Sequence, residues 1–268
     1  MKAILLTDNK LLHTYTHKML LSLEEIPDFH VVACILNPPP PLSFRAKLYQ
    51  HWKRGRRGYL LILMFQNLYR KFLSYFSSGE KGSFSLEAWL HERNIPLIQN
   101  SDLYSADMLQ KIREMHAETA ILASYHQIVK KQFIELFPMG VLSYHYGDLR
   151  KYRGQPAGFW ELYHGEREFR VCVQKITPGI DNGIPIAEQI FEIGTFTTLQ
   201  DLDRLVEQNC HSLMSIAVQR LMTPGYTFEK PEKYGPLYTL PHLRQWFWFQ
   251  LKMAVRKIRR NLAGLTSR

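Results

Sequence analysis

Apolar residues along the chain fall into two kinds of pattern, short continuous runs and series at helical spacing. Residues 2–7 and residues 29–36 are continuous apolar runs, which are typical of buried strands. Between them, apolar side chains recur every three or four residues up to Pro27, at Leu11, Leu12, Tyr15, Met19, Leu20 and Leu23. The pattern therefore predicts a strand, a helix and a strand at the start of the chain.

The same alternation continues to residue 221. We predict strands over 96–98, 119–124, 170–176 and 184–193, and helices over 86–92, 106–115, 156–164 and 199–221. Because strands that alternate with helices form parallel sheets covered on both faces, the sequence predicts an α/β fold with a mainly parallel, Rossmann-like sheet. The first strand is not followed by a glycine-rich turn, so this topology does not imply a dinucleotide site.

Composition is that of a globular protein, with 46% hydrophobic and 22% charged residues in 268. No apolar run approaches the ~20 residues of a spanning helix, and no small-residue cleavage pattern follows the N-terminus. We therefore expect a cytoplasmic protein. Its three cysteines have no CxxC spacing, which argues against a disulfide framework and a zinc knuckle.

The net charge of +10 is concentrated in two segments. Residues 42–79 and residues 243–268 carry eight and seven Lys or Arg side chains, and neither contains an acid. We predict a basic helical insert and a basic amphipathic tail, both suited to anionic surfaces. The tail either lies in a membrane interface or packs its aromatic residues on the body. RNA binding is a third reading, disfavoured because no RNA-binding module is recognisable.

Chemistry-bearing residues concentrate between residues 124 and 194. His145 and Asp181 are predicted at strand ends, and residues 151–154 are predicted to lead into a helix. In an open α/β sheet, ligands bind beyond the carboxyl ends of the strands, and an imidazole with a carboxylate suits proton transfer there. A purely structural interpretation also exists, in which His145 is a polar residue at the sheet edge with its hydrogen bonds satisfied, and Asp181-Asn-Gly183 is a sequence typical of hairpin turns.

Five motifs in this segment resemble, in order and spacing, the catalytic core of the folate-dependent formyltransferases. They are Gly140-Val-Leu-Ser-Tyr-His145, Lys151-Tyr-Arg-Gly154, Phe159-Trp-Glu161, Gly165-Glu166 and Ile180-Asp-Asn-Gly183. That family includes methionyl-tRNA, glycinamide ribonucleotide and nucleotide-sugar N-formyltransferases. The resemblance implies a formyltransferase-like domain over residues 1–205, a connecting segment over 206–242 and the tail over 243–268.

The resemblance also implies roles for individual residues. His145 and Asp181 take catalytic positions, and Ser143 stands where the family has Asn. The formyl donor would be 10-formyltetrahydrofolate, and the loop that faces it would consist of Tyr125, His126, Gln127 and Ile128. Candidate acceptor-binding residues are Tyr144, Tyr146, Arg153 and Gly154. No metal is required, because His145 as imidazolium can stabilise an oxyanion and Asp181 can relay the amine proton.

The sequence of residues 144–154 resembles that of the family members that formylate amino sugars. We therefore expect N-formylation of a small, phosphate-bearing amine, an amino sugar on a nucleotide diphosphate. The alternatives are a methionyl-tRNA formyltransferase-like enzyme, a formyl-folate hydrolase and a catalytically impaired folate or nucleotide-sugar binding protein. The tail suggests peripheral contact with the inner face of an anionic membrane, whereas a nucleic-acid partner is not expected.

Overall fold

A computed structural model describes residues 1–40, 43, 83–100, 102–195 and 197–266. The predicted basic insert lies outside the described residues except for Ser43. Among the helices of the described part of the chain, none is long and apolar enough to cross a membrane.

The described residues form eleven strands and eight helices. In chain order the strands are β1 (Lys2–Thr7), β2 (Leu11–His13), β3 (His30–Leu36), β4 (Ser83–Ser85), β5 (Leu97–Gln99), β6 (Thr119–Leu122), β7 (Gly140–Tyr146), β8 (Arg153–Gly154), β9 (Glu168–Lys175), β10 (Ile184–Glu192) and β11 (Leu237–Tyr238). The helices are α1 (Thr14–Glu24), α2 (Leu86–Glu92), α3 (Ala106–Glu114), α4 (Lys131–Ile134), α5 (Phe159–His164), α6 (Leu199–Asn209), α7 (Leu213–Met222) and α8 (Leu243–Thr266).

Seven strands form the central sheet in the order β10-β9-β7-β6-β1-β3-β5. Strands β7, β6, β1, β3 and β5 are parallel, and β9 runs antiparallel to both β7 and β10. Two small sheets pair β2 with β4 and β8 with β11. The predicted mainly parallel α/β sheet is confirmed.

Alternating residues of β1 supply two cores on opposite faces of the sheet. Leu5 belongs to the cluster that includes Met19 of α1 and Val218 of α7. Its neighbour Leu6 packs instead with Ile112 of α3. Because successive side chains of a strand point to opposite faces, one fully apolar strand serves both layers, and helices cover both faces as predicted.

The single helix predicted over 199–221 is wrong, because the chain breaks it at Cys210. Helix α6 ends before Cys210, and α7 begins at Leu213. The carbonyl of Cys210 accepts hydrogen bonds from the hydroxyls of Tyr144 at 2.8 Å and Tyr15 at 3.2 Å. The backbone N–H of Met214 donates to the same Tyr144 hydroxyl. The Cys210 carbonyl also accepts from the backbone N–H of Leu213 at 3.1 Å, so two distant tyrosines and one local turn bond hold the break.

The helix predicted over 156–164 is present but begins three residues later, and the residues expected to lead into it contain a short strand. Arg153 and Gly154 form β8, which pairs in parallel with β11. Helix α5 begins only at Phe159, after Gly158 in the left-handed region with a φ of 69°. The backbone between β7 and α5 therefore runs as a loop and a short strand across the carboxyl edge of the sheet.

Helix α8 packs on the body of the protein through one of its faces. Phe249 is completely buried, and its ring lies 4.2 Å, centroid to centroid, from that of Phe159. The tail thus contributes to the main core. The predicted division after residue 205 falls inside α6, and the domain boundaries stay a prediction.

Candidate functional site

His145 lies near the carboxyl end of β7 and is held through both of its ring nitrogens. The Nδ1 atom is 3.5 Å from Oδ1 of Asp181, and the Nε2 atom is 3.1 Å from the backbone carbonyl oxygen of Tyr152. The side chain is only 6% exposed. Because a carbonyl oxygen accepts but never donates, Nε2 carries a proton in this arrangement. A second proton on Nδ1 would give an imidazolium that faces the carboxylate of Asp181.

Asp181 occupies the turn between β9 and β10, with a φ of 45° in the left-handed region. Its Oδ2 accepts a hydrogen bond of 2.9 Å from the backbone N–H of Gly154. Burial disfavours the charged carboxylate. The hydrogen bond and charge of His145, with the Gly154 N–H and the Gln174 side chain, outweigh that effect and lower the pKa of Asp181. The pair is therefore arranged as a carboxylate beside an imidazole.

Gly154 is required at its position by the strand that pairs with it. Its φ is 93°, and a Cβ there would lie 2.0 Å from the carbonyl oxygen of Tyr238. A residue without a side chain lets β11 approach β8 while the Gly154 N–H points at Asp181. The glycine of the Tyr-Arg-Gly motif thus positions the predicted catalytic carboxylate.

Gln174 is a further residue of the site that the sequence analysis did not select. It lies opposite Ser143 in the β7–β9 register and is 3% exposed. Its Oε1 accepts from the backbone N–H of Gly183 at 3.2 Å, and its side chain helps to lower the pKa of Asp181. The amide thus braces the turn that carries Asp181. The signal in the sequence was a polar residue inside an apolar strand.

Glu161 belongs to one of the five motifs, but the sequence analysis gave it no role. Its side chain on α5 is 3% exposed. A Cβ built on Gly147 would lie 3.1 Å from Glu161 Oε1 and 3.2 Å from His145 Nε2, so both atoms face the same small space. Burial raises the pKa of Glu161 to about 7, although the charge of His145 opposes the rise. A second carboxyl group, besides Asp181, therefore lies beside the imidazole.

Ser143 lies on the same face of β7 as His145, because strand residues two apart share a face. Its hydroxyl donates to the backbone carbonyl of Tyr144 at 3.1 Å. The hydrogen bonds of the described residues do not join Ser143 directly to His145 or Asp181. Its predicted catalytic role stays a prediction.

Tyr144 and Tyr146 point to the opposite face of the strand from His145, as the alternation of β7 requires. Their rings stack with centroids 6.0 Å apart, and Tyr144 also contacts Tyr15 edge to face. Burial raises the pKa of Tyr146 to about 12. The structure places both tyrosines in packing against α1 and the α6–α7 break, and their predicted contact with an acceptor stays a prediction.

Arg153 is anchored to the backbone through its Nε. Its Nε donates to the carbonyl of Gly235 at 2.7 Å, and its guanidinium lies 5.8 Å from the ring centroid of Tyr234. This geometry corresponds to a structural clamp on the segment before β11. The predicted role of Arg153 in substrate binding stays a prediction.

The predicted folate loop forms a separate group at the ends of β1, β3 and β6. Tyr125 donates to Asn37 Oδ1 at 2.9 Å, and Gln127 donates to the Asn37 carbonyl at 2.7 Å. The N–H of His126 donates to Asp8 Oδ2 at 2.8 Å. Ile128 is 71% exposed, and the His126 side chain 72%. The loop is thus fixed by its polar groups and presents an apolar and an imidazole side chain to solvent.

The parallel strands bring these groups to one edge of the sheet. Strand β6, which precedes the loop, is the direct neighbour of β7, which carries His145. The carboxyl ends of parallel strands share an edge, and that edge is where open α/β sheets bind ligands. Within the described ranges, no cluster of three or more His, Cys, Asp or Glu side chains is arranged to hold a metal ion. The expectation of a metal-free site stays a prediction.

Comparison with known proteins gives one family. A family model described as formyl transferase matches residues 78–218. A methionyl-tRNA formyltransferase of Borrelia duttonii is 31% identical over 130 residues, which cover 48% of this chain and 42% of that protein. The chain therefore matches less than half the length of this relative.

Two solved structures share the fold. Glycinamide ribonucleotide transformylase 1 from Symbiobacterium toebii superposes with a TM-score of 0.57 at 14% identity, covering 86% of this chain and 93% of the other. WlaRD, a sugar 3N-formyl transferase solved in the presence of dTDP and 5-N-formyl-THF, superposes with a TM-score of 0.52 at 16% identity, covering 89% and 69%.

Proposed function

The chain belongs to the formyl transferase family, and on that premise we propose that it transfers a formyl group from 10-formyltetrahydrofolate to a primary amine. The observation that carries the proposal is the contact of His145 with Asp181 beside the carboxyl edge of the sheet. The family resemblance recognised in the sequence motifs is confirmed by the family match.

The charge changes of the reaction explain why this pair suits it. Attack of an amine on the formyl carbon creates an oxyanion and an ammonium in one tetrahedral intermediate. The site therefore needs a hydrogen-bond donor for the oxyanion and a proton acceptor for the ammonium. Collapse of the intermediate breaks the bond between the formyl carbon and N10 of the folate, and the amine proton ends on N10.

His145 supplies the donor in this proposal, and Asp181 the acceptor. The Nε2–H group now donates to the Tyr152 carbonyl, and in the reaction it would donate to the oxyanion instead. Asp181 has a lowered pKa, so it is charged at neutral pH and stabilises the imidazolium through Nδ1. It accepts the ammonium proton through His145 or a water molecule and returns it to N10. Mechanistically, Gln174 and Gly154 are positioning residues because each acts through Asp181.

For the donor, we propose the loop of Tyr125, His126, Gln127 and Ile128 as the binding surface. The exposed Ile128 side chain offers apolar contact to a flat heteroaromatic ring. The hydrogen bonds of the loop to Asp8 and Asn37 keep its backbone in a fixed position. Both features are compatible with a folate-sized donor that reaches from this loop towards His145.

For the acceptor, we propose an amino sugar carried on a nucleotide diphosphate. The support is the form of residues 144–154, which resembles the sugar-modifying members of the family. A methionyl-tRNA acceptor and a water acceptor, which would make the protein a formyl-folate hydrolase, are the alternatives. All three use the same imidazole and carboxylate and differ only in the nucleophile.

One experiment separates these outcomes. The protein is incubated with 10-formyltetrahydrofolate alone, with nucleotide-linked amino sugars, with glycinamide ribonucleotide and with methionyl-tRNA. Tetrahydrofolate release is followed by absorbance and formylated product by mass spectrometry. We expect release that depends on the amino sugar. Release without any amine would identify a hydrolase, and donor binding without turnover would identify a binding protein.

A further inference from the structure

Helix α8 has a face that is anchored to the body. Phe249 is fully buried against Phe159. Arg256 donates to the carbonyl of Thr197 at 2.7 Å, and Arg260 donates to Asp201 Oδ2 at 2.8 Å. The three anchoring positions follow helical spacing, so they lie along one stripe. The orientation of α8 about its own axis is therefore fixed, and a defined opposite face points away from the protein.

The opposite face is an apolar ridge. Its residues follow alternating steps of three and four, and each is between 38% and 59% exposed: Trp248, Leu251, Val255, Ile258 and Leu262. Phe247, 62% exposed, lies beside the ridge. This spacing keeps the side chains on one side of a helix. A contiguous exposed apolar surface of this kind marks an interaction site.

Cations without anionic neighbours border the ridge. Residues 243–266 include six Lys or Arg side chains and no acid. Lys257 and Arg259, one residue before and one after Ile258, lie on opposite flanks of the ridge. Both are exposed, and the ion pairs and hydrogen bonds found within the described residues include neither of them. The outward surface thus combines hydrocarbon with one exposed cation on each flank.

We propose that this surface of α8 binds an anionic lipid bilayer. The helix would lie parallel to the membrane, with the ridge at the boundary between headgroups and acyl chains and Lys257 and Arg259 on anionic headgroups. The proposal is independent of the formyl acceptor.

Charge complementarity favours lipid over two other occupants. A second copy of α8 would match the apolar ridge but would bring together two helices that both lack acids, and like charges at such a seam oppose pairing. A nucleic acid would satisfy Lys257 and Arg259 but would leave the ridge in water. An anionic bilayer satisfies both the apolar and the cationic parts at once.

Sedimentation with vesicles tests the proposal. Full-length protein is mixed with phosphatidylglycerol/phosphatidylcholine vesicles or with phosphatidylcholine vesicles, at low and high salt. We expect binding to the anionic vesicles at low salt, weaker binding at high salt, and a blue shift of tryptophan emission on binding. Failure of the folded wild type to sediment with anionic vesicles at low salt would overturn the proposal.

Two variants locate the binding surface. Leu251→Asp with Ile258→Asp is expected to weaken vesicle binding at least about tenfold, because each aspartate places a charge in the ridge. Lys257→Glu with Arg259→Glu is expected to weaken it by a similar factor. Ile190→Asp on β10, where Ile190 is 46% exposed, introduces the same charge elsewhere and should bind like the wild type. Circular dichroism and thermal unfolding check that each variant is folded.

The other occupants give distinct results. A dimer in sedimentation velocity that Leu251→Asp with Ile258→Asp converts to a monomer would overturn the lipid proposal in favour of a second copy. Tight binding to single-stranded RNA that the same double variant leaves unchanged, without vesicle binding, would overturn it in favour of nucleic acid. Vesicle binding by the Leu251→Asp with Ile258→Asp variant that equals wild-type binding would also contradict the proposal.

Discussion

At the scale of single residues, the environment of His145 is set by oxygen atoms on both sides of its ring. Asp181 faces Nδ1, the Tyr152 carbonyl accepts from Nε2, and Glu161 lies across the space beside Gly147. Two carboxyl groups in different surroundings flank one imidazole. Asp181 has a lowered pKa and Glu161 a raised one, so near neutral pH only the first is fully ionised.

Replacing either member of the His145–Asp181 pair is expected to remove most turnover. His145→Ala removes the oxyanion donor. Asp181→Asn keeps an acceptor for the Gly154 N–H but loses the charge that stabilises an imidazolium. We expect kcat to fall about 10²–10⁴-fold in each, with unfolding free energy changed by no more than ~3 kcal/mol. Initial rates and urea unfolding measure both. Asp28→Asn, in an exposed turn, is the control, and full activity in either site variant would remove that residue from the mechanism.

Glu161 makes stability depend on pH in a defined direction. Its folded-state pKa of about 7 lies above the ordinary carboxyl value, so its contribution favours folding in acid and is lost as pH rises towards 7. Glu161→Gln cannot ionise, so it removes the free-energy cost of charging this buried carboxyl group as pH rises. Relative to the wild type, the variant should gain about 2–3 kcal/mol in unfolding free energy between pH 5 and pH 8. Urea titrations at both pH values test this. The exposed Glu207→Gln should show no such trend, and a flat difference for Glu161→Gln would refute the assignment.

At the scale of elements, the pairing of β8 with β11 connects the candidate site to the segment that precedes α8. The pairing joins Arg153 to Leu237 and Gly154 to Tyr238, residues more than eighty positions apart in sequence. Local sequence patterns indicated no strand at residues 151–154, because nothing in the neighbouring residues reveals a partner strand so far along the chain. The positive φ of Gly154 is what makes the close approach of β11 possible.

Gly154→Ala is expected to break this pairing. The added Cβ would occupy space 2.0 Å from the Tyr238 oxygen, whereas a Cβ on Gly165 meets no atom within 4 Å. Both glycines have positive φ, so Gly165→Ala shares the backbone strain of ~1–2 kcal/mol and lacks the collision. Gly154→Ala should lose a further ~1–3 kcal/mol and most activity. Urea unfolding and initial rates of the two variants measure the difference, and equal effects would contradict the collision.

The fate of the predicted elements shows what local pattern can and cannot determine. Strands β1 and β3 follow directly from continuous runs and are buried on both faces over most of β1 and the second half of β3. Helix α2 follows from apolar spacing, because its buried residues Leu86, Trp89 and Leu90 lie on one face. The break at Cys210 was invisible because the Tyr144 hydroxyl that stabilises it lies 66 residues away. Similarly, the motifs identified roles for His145 and Asp181. Glu161 also stood in a motif, but it lies within an apolar helical run, and Gln174 lies within an apolar strand, so only tertiary contacts give these two a role.

At the scale of the whole molecule, the C-terminal helix closes the core over α5. Phe249 is buried against Phe159, and Trp160, the next residue of α5, donates through Nε1 to the Thr239 carbonyl just after β11. The sequence left open whether the tail binds a membrane or packs on the body. The structure shows packing through one face, while the other face carries the exposed ridge that we propose for lipid.

Phe249→Ala is therefore expected to destabilise the fold by about 3–5 kcal/mol, because it empties a fully buried aromatic site. Phe247, two residues earlier and 62% exposed, provides the matched control. Phe247→Ala should change unfolding free energy by less than ~0.5 kcal/mol. Thermal or urea unfolding of the two variants measures the difference in their unfolding free energies. A small effect of Phe249→Ala would show that α8 adds little to the core.

The single hydrogen bond from the Gly154 amide to Asp181 has a consequence for how the protein loses activity. The same two-residue ladder holds both this amide and the segment that leads into α8. Such a ladder is short and peripheral, so it opens at lower denaturant than the seven-stranded sheet. When it opens, the carboxylate loses one of its donors while the sheet stays folded. We expect catalysis to fail early, at urea concentrations where the circular dichroism of the protein is still unchanged.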